Sequence, residues 1–370
     1  NTETPASIIL ASHQPKTINI HGAQLETTPA FDAYWYFAFA RQNIFHERVS
    51  GERPATNYPE DEILRSYRFT NAYRASDRVS QYLISQVIGP QADAWEPRDL
   101  FFRTLLFKIF NKVETWEALE NEFGELTAEA LNFDEANAFL SSRQDAGYRN
   151  YSAAYIMASA GSFFGHKRKH SSHLALINWM LDEQFPARLS RARRMSEAYE
   201  LLLSAPSLGP FLAFQFVTDI NYSSLTHFSE MEFVVAGPGA LDGISKCFVN
   251  TRDVSAEQII AYMANNQERY FEQFSLDFKD LWGRPLQLID CQNLFCEISK
   301  YTRVAFPEIK GVSGRTRIKQ SYRRSAKEMY CPIYPEDWGV KVPFCKPRKD
   351  AAWAESKALN SQSDLFHREL

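Results

Sequence analysis

Apolar residues recur at three- and four-residue spacings along most of the chain, the period of a helix that buries one face. W-E-A-L-E-N-E-F, D-E-A-N-A-F-L-S-S-R, H-L-A-L-I-N-W-M-L-D and S-R-A-R-R-M-S-E-A-Y-E-L-L-L-S all show it. Ile259 to Phe274 does too, after Asp253-Val254-Ser255-Ala256-Glu257, which offers an N-cap. Asp290 is placed to start a helix carrying Leu294, Phe295, Ile298 and Tyr301. Alternating runs of period two are scarce, so the pattern predicts a mainly α fold.

Two edges break the helical pattern. The first thirty residues are polar and Pro-containing without clear periodicity, and from Lys310 onward G-V-S-G-R-T-R-I-K-Q-S-Y-R-R-S-A-K is basic and turn-rich. The expected organisation is an N-terminal arm (1–30), an all-helical core (31–309) and a basic C-terminal extension (310–370). With 370 residues, 45% of them hydrophobic, the chain can bury a large core. No signal-peptide pattern is present and no run approaches the roughly 18 apolar residues of a membrane span, so a cytoplasmic protein without membrane contact is expected. The five cysteines are odd in number and form no C-x-x-C. That suits reduced thiols better than a disulfide framework or a zinc site, and no metal is expected.

Net charge is −4, which excludes a wholly basic nucleic-acid coat and shifts attention to local clusters. In Y-R-F-T-N-A-Y-R-A-S-D-R-V-S-Q-Y, Arg68, Arg74 and Arg78 are interleaved with Tyr67, Phe69, Tyr73 and Tyr82. Arg74 and Arg78 are four apart and would share a helix face, with Asp77 close enough to orient a guanidinium. The stretch reads either as a solvated face backed by core aromatics or as a phosphate-tracking surface with aromatics for bases. G-H-K-R-K-H-S-S-H places His166, His170 and His173 at spacings that invite a metal. Lys167, Arg168 and Lys169 make that a poor cation site, so contact with a phosphate backbone is the better reading. The third cluster is Lys310, Arg315, Arg317, Lys319, Arg323, Arg324 and Lys327. Three positive segments in a net-acidic chain imply one groove for a polyanion if folding brings them together.

L-L-L-S-A-P-S-L-G-P-F-L-A-F-Q-F-V-T-D-I reads as a helix, a tight hairpin at Pro206-Ser207-Leu208-Gly209 and a second helix from Pro210, a helix-hairpin-helix outline over about 199–220. Amides at Gly209 would hold a DNA phosphate there, or the unit is an ordinary αα corner. Downstream lies E-M-E-F-V-V-A-G-P-G-A-L-D-G-I, Glu230 to Ile244. Its Gly237-Pro238-Gly239 lacks the strand and spacing of a nucleotide cradle, and Pro238 removes an amide. It reads as a turn that fixes the chain after Glu230 and Glu232 so that one carboxylate faces a pocket, with Gly243 allowing close helix approach. Asp219 closes the second hairpin helix and is placed to orient Asn221 or a basic residue. Glu297 and Lys300, three apart on a helix, are expected to pair. No G-x-x-x-x-G-K-[ST] occurs, which argues against a P-loop kinase.

Together, S-L-G-P-F-L-A-F-Q-F-V-T-D-I-N-Y, E-F-V-V-A-G-P-G-A-L-D-G-I, Y-R-F-T-N-A-Y-R-A-S-D-R-V-S-Q-Y-L-I and L-F-C-E-I-S-K-Y-T-R-V resemble one family over Phe31 to Tyr322. It is the α-glutamyl/putrescinyl thymine pyrophosphorylase group, whose domain is also named the helical domain of 5-hydroxymethyl-deoxyuridine DNA kinases. The resemblance implies kinship with helix-hairpin-helix DNA glycosylases, hence a glycosylase-like core with a DNA-binding cleft. It also implies a part in making, or restricting, hypermodified pyrimidines in phage DNA. Those glycosylases carry a catalytic carboxylate at a set distance beyond the hairpin's last glycine. Counted from Gly209 that distance reaches Ser229, with Glu230 next and Glu232 two beyond. Ser207 stands where the first hairpin glycine would be, a departure that weakens the expected phosphate grip.

The leading expectation is therefore a DNA glycosylase-like hydrolase on double-stranded DNA carrying modified pyrimidines. It flips the base out, and a carboxylate (Glu230 or Glu232, with Asp219) stabilises the oxocarbenium character at C1′. Asn221, Tyr222, Phe233, Gly237 and Gly239 are the candidate base pocket, and no cofactor is needed. One alternative is a transferase in which an amine replaces pyrophosphate at the thymine 5-methylene, with Arg and Lys around the leaving group and a carboxylate deprotonating the amine. The other is a non-catalytic module that binds modified DNA.

Overall fold

A computed structural model describes residues 3–51, 59–89, 95–155, 157–323 and 331–343; Arg324, Lys327 and Cys345 lie outside them. The described chain is mainly α. Its N-terminal part comprises α1 (Pro5–Ser12), α2 (Pro29–Ser50), α3 (Glu62–Ser66), a 3-10 turn (Arg74–Ser76), α4 (Arg78–Tyr82), α5 (Pro97–Phe110), α6 (Val113–Phe123) and α7 (Phe133–Asp145). After these come α8 (Gly161–Phe164), α9 (Lys169–Asp182), α10 (Phe185–Arg191), α11 (Met195–Leu203) and α12 (Pro210–Ile220). The remainder is α13 (Pro238–Cys247), α14 (Ala256–Asn265), α15 (Gln267–Gln273) and α16 (Leu288–Ala305).

The first thirty residues hold more than an arm. T-I-N-I and A-Q-L-E-T do alternate, and β1 (Thr17–Ile20) and β2 (Ala23–Thr27) bury Ile18, Ile20, Ala23 and Leu25. β2 continues antiparallel onto β3 (Phe248–Val249), with Thr27 opposite Phe248, so this hairpin is tied to the end of α13. The strands are too short to stand out from sequence against a helical background.

Local chemistry sets the helix ends. Thr28 caps α2 through Ala30 N–H, Pro29 occupies the first turn, and Gly51 closes it at φ 76°. Ser255 and Gln258 form the capping box expected before α14, but Asn266 interrupts the run to Phe274 so that α15 is separate. Asp290 is the third residue of α16 rather than its start, in a capping box with Gln287.

α2 and α16 run through the core. Phe31, Tyr34, Trp35, Phe37 and Phe45 of α2 are buried, and Tyr34 packs 4.7 Å from Phe295 of α16. α13 lies against α16 so closely that a Cβ on Gly243 would sit 2.0 Å from the Phe295 carbonyl oxygen. This is the close approach expected there. α5 is buried all round from Leu100 to Phe110, so Arg103 and Lys108 are buried with it. Arg103 is satisfied structurally by the carbonyls of Val87 and Leu126, between the rings of Trp95 and Trp116.

Cys247, Cys291 and Cys296 are free. Cys331 is disulfide-bonded, contrary to the expectation of reduced thiols: an odd count excludes full pairing but not a single bridge. Among the described residues no helix is long and apolar enough to cross a membrane.

Candidate active site

The charged groups nearest the centre come from α5, α12 and the 3-10 turn. Arg74 is 3% exposed. Its Nη1 donates to Asp219 Oδ1 at 2.8 Å and to the Tyr222 hydroxyl at 3.0 Å, and its Nε donates to Gln215 Oε1 at 3.0 Å. Asp219 also lies 3.7 Å from Lys108 Nζ, which donates to Asn111 Oδ1 at 2.8 Å. Burial, with Arg74 adding repulsion, pushes the Lys108 ammonium down to about 8 against the opposing pull of Asp219. The segment expected to be a helix face is broken at Asp77, so Arg74 and Arg78 share no face. Arg74 cannot be the DNA contact it was expected to be, because its donors are used on buried partners. Asp77 accepts from Asn71 N–H at 2.7 Å, and burial holds its carboxyl up near about 7.

A second charged layer adjoins the first. Glu230 is 4% exposed and accepts from Arg284 Nη2 at 2.8 Å through Oε1. Asp290 accepts from the backbone N–H groups of Arg74 and Gln287 at 2.8 and 2.9 Å. Burial first, then the Glu230 charge, raises Asp290 to about 7. Glu230 is also raised by burial, with Arg284 opposing. Two buried carboxylates this strongly linked behave as a pair that resists holding two negative charges.

Aromatics close the outer side. The Arg284 guanidinium lies 3.7 Å from the ring centroid of Trp338, which stacks on Tyr334 and meets Tyr222 edge-on at 5.8 Å. Tyr334 is hydrogen-bonded to Ser76 at 2.7 Å, and Gln81 grips both the N–H and the C=O of Ile333 at 2.9 Å. Part of the C-terminal extension is thus built into the site. Glu230 Oε2, Asp219 Oδ2, Arg284 Nε and Gln215 Nε2 are buried without a hydrogen-bond partner. Three unused polar atoms, beside an Asp219 oxygen whose nearest partner is the Lys108 ammonium at 3.7 Å, make the cluster a candidate site for a polar ligand, since orphaned buried groups are costly. The arrangement offers a carboxylate able to take a proton and cations able to face an anionic leaving group.

The other expected site residues lie elsewhere. Glu232 is exposed and accepts from Met195 N–H at 3.1 Å, finishing the start of α11. Asn221 is spent on its own loop: its side chain bonds Phe228 N–H and C=O and Thr226 Oγ1. Phe233 packs on Tyr199 and Phe214. Gly237 caps α13, its N–H donating to Gln292 Oε1, and a Cβ there would meet Phe211 at 2.6 Å. Gly239 abuts Cys296. These positions shape the loop and helix start around Glu230 rather than line a base pocket. Glu297 pairs with Lys300 at 3.1 Å and accepts from Thr70 N–H.

The basic clusters are partly assembled. Arg68 N–H donates to Gln320 C=O at 3.1 Å, Tyr67 bridges Ser321, and Arg303 Nη1 donates to Arg317 C=O at 3.1 Å. Exposed Arg68 therefore shares a strip with exposed Arg315, Arg317 and Lys319. Exposed Arg78 is 3.9 Å from Glu114. The cluster at 167–169 is held to α7 instead: Arg168 pairs with Asp145 at 3.0 Å and Lys169 lies over Tyr151, with Lys167 exposed. His170 and His173 are buried and bonded to Ser141 and Tyr151, which leaves no imidazole pair for a metal. Gly209 is exposed at the hairpin, where Ser207 takes the left-handed conformation, φ 66°, that a glycine would.

Arg284, Gln215, Lys108, Trp338 and the pairing of Asp290 with Glu230 were not singled out from sequence. One signal was available: in L-L-F-K-I-F a lysine sits inside an apolar run with no polar face to carry it. A groove of ≈400 Å³ lined by Ile8, Ile9, Tyr36, Phe39 and Leu64 lies between α1 and α2, apart from the charged cluster. Of its two acids, Glu60 and Asp61, the buried Asp61 is already bonded by Tyr36 and Tyr301.

The family model described as "5-hmdU DNA kinase, helical domain" matches residues 28–311. A 5-hmdU DNA kinase of Bacillus phage SP10 is 25% identical over 286 residues, which are 73% of this chain and 44% of that protein. The chain thus spans less than half the length of this curated relative. No solved structure matches. Both names describe a phosphotransferase, and they overturn the expected DNA glycosylase: hydrolysis of the N-glycosidic bond is not what this group is named for. Neither match shows kinship with helix-hairpin-helix glycosylases.

Proposed function

The chain belongs to the family of the 5-hmdU DNA kinase helical domain, and on that premise we propose that it handles 5-hydroxymethyl-derived pyrimidines in double-stranded DNA and exchanges the group on their 5-methylene carbon. The observation that carries this reading is the cluster of unused buried polar atoms around Glu230, Arg284, Gln215 and Asp219. The 5-methylene of a pyrimidine in a duplex is reached best once the base leaves the stack, and a buried polar pocket rimmed by Trp338 and Tyr222 suits such a base.

In the proposed reaction the nitrogen of an amine forms a bond to the 5-methylene carbon. The carbon–oxygen bond to pyrophosphate breaks, and pyrophosphate departs with the electron pair. The proton lost by nitrogen passes to Glu230, whose proton affinity is raised by burial against the opposing pull of Arg284. Arg284, the partly exposed cation of the cluster, faces the leaving group. The strip joining Arg68 to Arg315, Arg317 and Lys319 tracks the DNA backbone.

Incubation with duplex carrying pyrophosphorylated 5-hydroxymethyl-dU and a panel of amines tests the reading by mass spectrometry. Pyrophosphate release with an amine-linked thymidine is expected, falling ~10²-fold or more in E230Q. Modified DNA bound but returned unchanged, alike in wild type and E230Q, would favour a second reading, a recognition module.

A further inference from the structure

We infer that Arg284 is a plug: an extruded pyrimidine takes its place on Trp338, and this exchange uncovers Glu230. The inference rests on the base-handling reading above and concerns how that site is switched on. A guanidinium and a pyrimidine are both flat and both stack on indole, so the surface holding Arg284 at 3.7 Å fits a base in its stead. Trp338 is fixed for this role by Tyr334, which Ser76 anchors.

The Arg284 side chain is held by little else. Its Nε has no partner, and its bond to Glu230 is the one hydrogen bond of its guanidinium among the described residues. Its backbone, by contrast, is pinned: the Tyr73 hydroxyl donates to Arg284 C=O at 2.6 Å and accepts from Leu281 N–H at 3.2 Å. The turn between them holds Trp282 at φ 49° and Gly283 at φ 101°. A tryptophan in the left-handed region is strained, and strain of this kind collects at sites that act. A rigid turn therefore presents a side chain that can swing.

Position completes the argument. The Arg284 side chain is 17% exposed and the Glu230 side chain, 2.8 Å from it, 3%, so of the two partners the arginine is the one that solvent reaches. Once a base displaces it, Glu230 loses the partner that holds it ionised and becomes a stronger proton acceptor. The released guanidinium is then free for phosphate oxygens on the seated base. Glu230 would act only with a target nucleotide in place.

The test uses duplex with a single pyrophosphorylated 5-hydroxymethyl-dU beside 2-aminopurine, which brightens when its neighbour leaves the stack, with no amine present. Binding and brightening are measured for wild type, R284A, W338A and E230Q/R284A. The double variant keeps the test valid if R284A alone, with a stranded carboxylate, fails to fold. Removing the plug should tighten binding about tenfold in R284A and in the double variant, although a positive charge is lost. Removing the stacking surface should weaken binding roughly 5- to 150-fold. R284A and the double variant binding no better than wild type, or W338A binding as tightly as wild type, would overturn the plug while wild-type brightening still upholds base handling. No brightening by the wild type would bring down both.

Discussion

At the scale of single residues, two carboxylates two positions apart have opposite fates. Glu230 is buried with one oxygen unused, while Glu232 points outward and finishes a helix start. E230Q removes the proton acceptor while keeping the shape, so turnover of a 5-methylene substrate should fall ~10²-fold or more with little change in melting temperature. E232A should leave turnover as it was and cost about 1 kcal/mol, read in urea unfolding. An E232A enzyme as slow as E230Q would place the chemistry on the wrong acid. Arg74 makes a parallel case. R74M strands Asp219 in the interior, so it should lose about 3–5 kcal/mol of stability. Its DNA binding at temperatures where it stays folded should keep the wild-type salt slope, because a phosphate contact is not what was removed. A shallower slope would return Arg74 to the backbone-contacting set.

At the scale of elements, the helix-helix contact that positions the site hangs on a missing side chain. α16 carries Asp290 and α13 begins just after the Glu230 loop, and the two meet at Gly243. G243A puts a Cβ 2.0 Å from a backbone oxygen, which neither helix can avoid except by moving apart. A loss of about 3 kcal/mol is expected, at or above the usual range for overpacking. G209A, at an exposed cap with nothing within 4 Å, should cost under about 1 kcal/mol. Equal melting temperatures for the two would contradict this packing. The elements were also the most legible part of the sequence. α6, α7, α9, α11, α14 and α16 follow from apolar spacing because each keeps a polar face. α5 has none, so periodicity says nothing about it, and β1 and β2 were lost because two short alternating stretches carry little signal. The hairpin at Pro206 to Gly209 was readable from its proline and glycine, whereas Ser207 at φ 66° was not, since serine gives no sign of left-handed backbone.

At the scale of the molecule, the site draws Lys108 from α5, Asp219 from α12, Glu230 from a loop, Arg284 from a turn, Asp290 from α16 and Trp338 from the extension. The loop acid was visible because it sits in a compact motif. Its partners were not, because no local pattern says which distant arginine will meet which buried acid. Concentrating charge in this way leaves a mark on stability that can be measured. Asp290 titrates near about 7 in the folded protein but at about 3.9 when unfolded. Between those values the folded state binds the extra proton, so its contribution is full below about pH 4 and is lost as pH rises to about 7. Half-buried Asp77, also near about 7, acts in the same direction with a smaller effect. Other groups oppose them, among them His46, His170, Lys246 and Asp242, all of them lowered. His173 is held down to about 4 by burial, and Lys108 to about 8, so each adds stability as pH rises, over about pH 4 to 6.5 and about 8 to 10.4 respectively. The wild-type profile is therefore a sum of opposing slopes, and a difference curve isolates Asp290 together with its effect on Glu230. Urea-unfolding free energies of D290N minus wild type should climb steadily from pH 4 to 7 and stay level from 7 to 8. A difference that is flat across the acid limb would mean that Asp290 is ionised in the folded protein, and that the Glu230 cluster carries two full negative charges rather than sharing a proton.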